Sequence, residues 1–207
     1  MIRRKKYFNN TSMGRFLLLV VFLIKVNLTG YAQQYVLEDK STVVLKGSST
    51  VNNFTCSCQE EWPVLKPSLV KGDNRVDFSN TNLVIDIKNL DCGNRMMNKD
   101  LQSTLNADKY PSITVSLLVA NGTGVGLIQG AWQTIKAQLK LKLNGNENAY
   151  WTTIDAKRID DRNLQFKGIL DLKMTDFKII PPRPFLGMIV VHDEMEVNLD
   201  LYIRQVN

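Results

Sequence analysis

The residues that could do chemistry in this 207-residue chain are few, and their spacing limits what they could do. A nucleophile–base arrangement would have to use His192, the single histidine, which lies in Val190-Val191-His192-Asp193-Glu194. That places it in a turn or at the start of the last strand, and no Gly-x-Ser-x-Gly elbow supplies a nucleophile. Adjacent carboxylates occur at Glu60-Glu61, Asp160-Asp161 and Asp193-Glu194. A glycosidase needs two carboxyl groups converging on one bond, whereas neighbours on a strand point to opposite faces. These pairs read as turn solubilisers. Gly122, Gly124 and Gly126 imitate a phosphate loop, but no Lys with Ser/Thr follows at the start of a helix. The pattern argues for a protein that is not an enzyme and needs no cofactor.

Cys56, Cys58 and Cys92 are the remaining reactive side chains. Cys56-Ser57-Cys58 has one intervening residue, where thioredoxin-type redox pairs have two. On a strand, Cys56 and Cys58 share the face of Phe54, so at least one packs in or near a core. In an oxidising compartment Cys92 pairs with Cys58 or with Cys56, leaving one odd thiol. Such a bridge closes a loop of about 35 residues and contributes about 3–4 kcal/mol in the chain-entropy account. A metal site would need a fourth ligand, and His192 stands 100 residues beyond Cys92. No metal is therefore expected. The Asn53-Phe54-Thr55 and Asn121-Gly122-Thr123 sequons are common by chance and are assigned no role.

The compartment is read from the N-terminus. Arg3, Arg4, Lys5, Lys6 and Arg15 precede nine apolar residues, Phe16 to Ile24, which Lys25 ends; Gly30-Tyr31-Ala32 follows. This order predicts a signal peptide over 1–32, cleaved after Ala32, and a periplasmic or secreted domain over 33–207. An uncleaved anchor would need roughly 20 apolar residues. No later stretch could span a membrane as a helix. Six of the 26 basic residues and none of the 20 acidic ones lie in the first 32, leaving 20 against 20. A near-neutral mature chain lacks the electrostatic footprint of a nucleic-acid binder.

The elements that must position these residues are strands. Ile135, Ala137, Leu139, Leu141 and Leu143 alternate with polar residues, as do Leu164, Phe166, Gly168, Leu170, Leu172 and Met174. Met195, Val197, Leu199, Leu201 and Ile203 repeat the pattern, with shorter rows at Val43–Val51, Leu83–Ile87 and Ile113–Val119. Each row predicts a strand with one apolar face. Polar turns are expected at Asn121–Gly124, Asn144–Asn148 and Asp160–Asn163. With weaker strands near Tyr35 and at Ala149–Ile159, the expectation is an all-β fold, an antiparallel eight-stranded barrel able to hold one small ligand. Met97, Leu101 and Leu105 recur at helical spacing between Met96 and Leu105, predicting one short helix over an end of the barrel. Pro181-Pro182-Arg183-Pro184, followed by Phe185, Leu186 and Met188, is a stiff loop: a cavity rim or a rigid connection.

Two stretches carry a family resemblance. One runs from Leu90-Asp91-Cys92-Gly93-Asn94-Arg95-Met96-Met97 through Leu101 and Leu105 to Lys109-Tyr110-Pro111-Ser112-Ile113-Thr114-Val115. The other is Gly168-Ile169-Leu170-Asp171-Leu172-Lys173-Met174-Thr175-Asp176-Phe177, then Pro181-Pro182 and Asp193-Glu194-Met195-Glu196-Val197. The chain resembles the YceI-like family over residues 34–205. It departs at Val115, where Phe is usual, at Lys40-Ser41 and at Leu139–Asn148, as a divergent member would. The resemblance implies an eight-stranded, lipocalin-like barrel, periplasmic or secreted, that binds an isoprenoid-type lipid, a polyisoprenoid or quinone. The apolar faces offer Phe54, Ile85, Met97, Leu117, Leu139, Phe166 and Leu170 as its lining. The competing expectation is a packed barrel acting as a structural or interaction module.

Overall fold

Alternation of apolar and polar residues is realised as a single antiparallel sheet of thirteen strands. The computed structural model describes residues 34–58, 62–122 and 126–206. The leader, its cleavage site, Glu60-Glu61 and Gly124 lie outside these. In chain order the strands are β1 (Gln34–Leu37), β2 (Thr42–Ser49), β3 (Asn53–Cys58), β4 (Val64–Leu65), β5 (Ser68–Lys71), β6 (Arg75–Ser79), β7 (Leu83–Asp86) and β8 (Leu90–Asp91). They continue as β9 (Ser112–Asn121), β10 (Trp132–Leu143), β11 (Asn146–Arg158), β12 (Asn163–Lys173) and β13 (Val191–Val206). Among the described residues one α-helix, α1, spans Arg95–Thr104.

The spine of the sheet is β5-β6-β9-β10-β11-β12-β13-β2-β3-β8, which does not return to its start. The expected eight-stranded closed barrel is therefore corrected to thirteen strands curled into an open half-barrel. The five extra strands are β3, which follows the break in the Val43–Val51 row, and the short pieces β4, β5, β6 and β8. Closure stops because β6 and β7 take successive lengths of the β9 edge, Asn121–Val119 and Val115–Ser112. The chain then leaves β9 through a 3-10 turn at Ile87–Asn89 and pairs with β3 as β8. One continuous segment, Leu83–Asp91, thus touches both open edges.

The β10 pattern shows why the sheet curls. Ile135, Ala137, Leu139, Leu141 and Leu143 are all buried, while Lys136 and Lys142 are exposed. Leu139, Leu141 and Leu143 share one core with Leu170, Leu172, Val43 and Leu45, while Ile135 and Ala137 join a second, smaller cluster with Ala120, Ile154 and Ala156. The β10–β11 turn is tighter than the sequence implies. Asn144 and Gly145 alone form it, with φ of 49° and 70°, and Asn146–Asn148 belong to β11. Two positive φ values match the right-handed twist of the flanking strands. Met174, expected to extend β12, instead opens a 3-10 turn, Met174–Phe177, whose Phe177 is fully buried.

Helix α1 begins at Asn94, whose Oδ1 accepts from Met97 N at 2.9 Å. It ends as Asn106 takes a φ of 56°, and Pro111 prevents resumption. Its Met97 and Leu101 pack half-buried on the core, and Leu105 is sealed within it.

Candidate functional site

The inner face of the half-barrel is not sealed along its length. Ile113, Val115 and Leu117 on β9, Phe166 on β12, and Val197, Leu199, Leu201 and Ile203 on β13 are apolar yet only half-buried. Cross-strand register places Phe166 beside Leu201 and Gly168 beside Leu199. The glycine leaves a shallow place in the wall next to Leu199. Ala137 and Ala156, also small, are completely covered nearby. The result is an apolar concave surface with accessible carbon at several points.

A cleft of about 910 Å³ opens where the ends of β2 and β12 meet the starts of β3 and β13. Gly47, Phe54, Leu172 and Met195 give it an apolar floor, and they lie in one cross-strand row. Its rim carries Lys46 and Lys173 against Asp171, Asp176, Glu194 and Glu196. Hydrogen bonds from Asn198 at 2.6 Å and Lys46 at 2.9 Å hold the Glu196 carboxyl below the usual range. Partial burial opposes ionisation of Asp193. Donation from Thr175 Oγ1 at 2.6 Å and Thr175 N at 2.9 Å, aided by Lys173, keeps its carboxyl lowered nonetheless. With four carboxylates to two ammoniums, the rim suits a neutral polar group better than an anion.

His192 does not line the cleft but meets one residue that does, its Nδ1 2.8 Å from Ser48 Oγ. The neighbouring Asp193 is engaged by Thr175, so the pair has no carboxylate orienting the imidazole in the manner of a catalytic triad. Among the described residues no group of His, Cys, Asp or Glu is placed to hold a metal ion.

The seven side chains expected to line a ligand site divide in two. Phe54, Leu117 and Phe166 are half-buried on the inner face of the sheet, Met97 is half-buried on α1 against the core, and Phe54 also floors the cleft. Ile85, Leu139 and Leu170 are 3–5% exposed, covered on all sides by core neighbours. Val197, Leu199, Leu201 and Ile203 on β13, absent from that set, are half-buried like Phe166; their alternation is visible in the sequence, but not which rows the curl leaves open. The disulfide joins Cys92 to Cys56, so the Cys58 pairing is corrected to the alternative. Cys56 pairs with inward-facing Leu45 and is fully buried beside β8, which brings it to Cys92.

A family model described as YceI-like domain matches residues 38–203. The chain belongs to the YceI-like family. Solved structures with the same fold include a polyisoprenoid binding domain from Saccharophagus degradans implicated in plant cell wall breakdown. It is 18% identical with a TM-score of 0.63, covering 82% of this YceI-like chain and 97% of its own. BcnA from Burkholderia cenocepacia is 15% identical with a TM-score of 0.57, covering 79% and 96%. No curated protein matches the chain. Among its described residues no helix is long and apolar enough to cross a membrane.

Proposed function

We propose that this YceI-like chain is a non-enzymatic, exported carrier of an amphiphilic lipid, a polyisoprenoid or quinone, in the periplasm or beyond the cell. The observation that carries the reading is the half-buried apolar row on the concave face, above all Phe166, Leu199 and Leu201. A soluble fold normally seals its inner face, and apolar carbon left accessible there is what a lipid chain would cover. Each methylene buried contributes about 0.8 kcal/mol, so ten chain carbons supply about 8 kcal/mol before binding costs. The neighbouring fold of a polyisoprenoid binding domain supports the class of ligand. The basic–apolar–small leader over 1–32 supports export.

A packed interaction module is the second reading, favoured by the closure of Ile85, Leu139 and Leu170. Native mass spectrometry of the exported protein, followed by denaturing lipid extraction, separates the two. The carrier retains a stoichiometric isoprenoid or takes up an added quinone. A clean apo mass that stays unchanged with added polyprenyl lipids would establish the packed module.

A further inference from the structure

The second half of the connection from β12 to β13, from Ile180 to Met188, exposes large apolar side chains. Ile180 is 88% exposed, Phe185 65%, Leu186 104% and Met188 75%. Pro181, Pro182 and Pro184 fix its approach, and Val191 N donates to Pro182 O at 3.1 Å across its neck. Gly187 N donates to Pro184 O and Met188 N to Phe185 O, closing a 3-10 turn at the tip. Phe185 and Leu186 are held at φ of 55° and 57°, a region bulky side chains avoid. The turn presents both side chains outward, Leu186 fully exposed and Phe185 about two-thirds exposed among the described residues.

A second apolar tip adjoins the first. Thr50 N donates to Val190 O at 3.0 Å, and Val190 N to Thr50 Oγ1 at 3.2 Å, binding the β2–β3 hairpin to the loop. That hairpin carries Val51 outward, 65% exposed. The strand ends on either side of its turn, at Ser48 and Asn53, line the cleft. The protruding apolar tips and the cleft mouth thus occupy the same end of the half-barrel.

From this placement we propose that the Pro181–Met188 loop, with Val51, is a docking tip that inserts into a lipid bilayer surface. The inference rests on the carrier reading: an insoluble isoprenoid is stored in a bilayer, and the cleft floor at Met195 lies on the same face of β13 as Val197 and Leu199 of the concave row. The shape of the tip favours a bilayer over a protein partner. Separate convex side chains need no matching pocket in an acyl boundary, and a proline-stiffened loop loses little freedom on insertion. Within the tip the one charged residue is the cationic Arg183, suited to an anionic headgroup, whereas the adjoining cleft rim is net acidic, so insertion rests on the apolar side chains.

Flotation of the exported protein with vesicles of phosphatidylethanolamine and phosphatidylglycerol in equal parts tests the proposal. The protein should float with the vesicles, and Phe185→Ser with Leu186→Ser should lower the bound fraction by about tenfold or more. Val51→Ser should lower it less, and the melting temperature of each variant shows that the fold persists. A wild-type protein that stays in the soluble layer, or a double variant that floats equally well, overturns the proposal. So does a dimer in light scattering that the double variant dissociates, which would assign the tip to a second copy. Uptake of a quinone from detergent solution, read by native mass spectrometry, is measured in parallel. Uptake without flotation overturns docking while the carrier reading stands. Flotation abolished by the double variant supports docking even where uptake fails and the carrier reading falls.

Discussion

The ring of Phe54 fills the space that a side chain on Gly47 would need. A Cβ built on Gly47 would overlap Cζ of Phe54 and stand 2.6 Å from its Cε2. The two residues are cross-strand partners in β2 and β3 and share the floor of the cleft. Glycine is required here for close approach alone.

Gly47→Ala should therefore displace the Phe54 ring. Because Phe54 is half-exposed, the ring can swing outward, and the expected cost is about 1–2 kcal/mol. Phe54→Ala removes the obstacle, so the double variant should be less destabilised than the two single effects combined. Urea denaturation of all four proteins checks this. Strict additivity would show that the ring does not depend on the bare glycine.

Cys56–Cys92 closes a loop of 36 residues' separation and fastens β3 to the residue after β8. Reduction should cost about 4 kcal/mol in the chain-entropy account. Cys58→Ser should leave the bridge intact, whereas Cys92→Ser should behave as the reduced protein does. Thiol alkylation with and without reductant, followed by peptide mass mapping, distinguishes these outcomes; modification of Cys56 in the unreduced native protein would contradict the assigned pairing.

The bridge also marks where the sequence stops being legible. Period-two rows locate β10, β12 and β13 because each has one buried face, and that pattern is local. Whether Cys56 or Cys58 meets Cys92 depends on β8 pairing with β3, a contact between distant segments. Strand number differs for the same reason: β4, β5, β6 and β8 are two to five residues long, too short for alternation of their own, and are fixed by their partners. In the candidate site, inward facing was readable at Phe166 and Leu170 alike. Their different exposure is set by the curl of the sheet, which alternation does not encode.

Acid should weaken the fold through turn carboxylates. Asp160 accepts from Asn163 Nδ2 and from the amides of Arg162 and Asn163 at 2.8–3.0 Å, and these bonds lower its pKa, the Asn163 side chain foremost. Asp91 is lowered likewise by Asn98 and Gly93. A folded pKa below the unfolded value of about 4 gives stability that is present above pH 4 and lost as pH falls through the folded pKa. The thermal midpoint should drop below about pH 4, and less steeply in Asp160→Asn. An unchanged profile in that variant would remove Asp160 from the explanation.

Alkali should act through Tyr150. Partial burial, with donation of its hydroxyl to Asp176 Oδ2 at 2.9 Å, raises the phenol well above its ordinary value. A raised folded pKa gives stability that is complete below the unfolded value of about 10 and lost above it. Tyr150→Phe should lose about 1 kcal/mol at neutral pH and flatten the decline above pH 10. Denaturant midpoints at neutral and alkaline pH measure both effects.

The carrier reading is sharpest at Leu199. Its cross-strand neighbour is Gly168, whose missing side chain leaves the concave wall low at that point. Leu199→Trp should fill the depression with an indole and leave the sheet paired, since both residues suit a strand. Quinone uptake should fall by about tenfold or more, the equivalent of about 1.4 kcal/mol or more. Gly168→Ala tests the same place from the opposite side. Its new methyl would meet Ile154 Cγ1 at 3.4 Å, an ordinary contact, so the fold should tolerate it and uptake should fall modestly. Lys167→Ala, on the outer face, should leave uptake unchanged. Fluorescence quenching with a short-chain quinone gives all three affinities. Full uptake by Leu199→Trp would exclude the concave wall and move the ligand to the cleft between Phe54 and Met195.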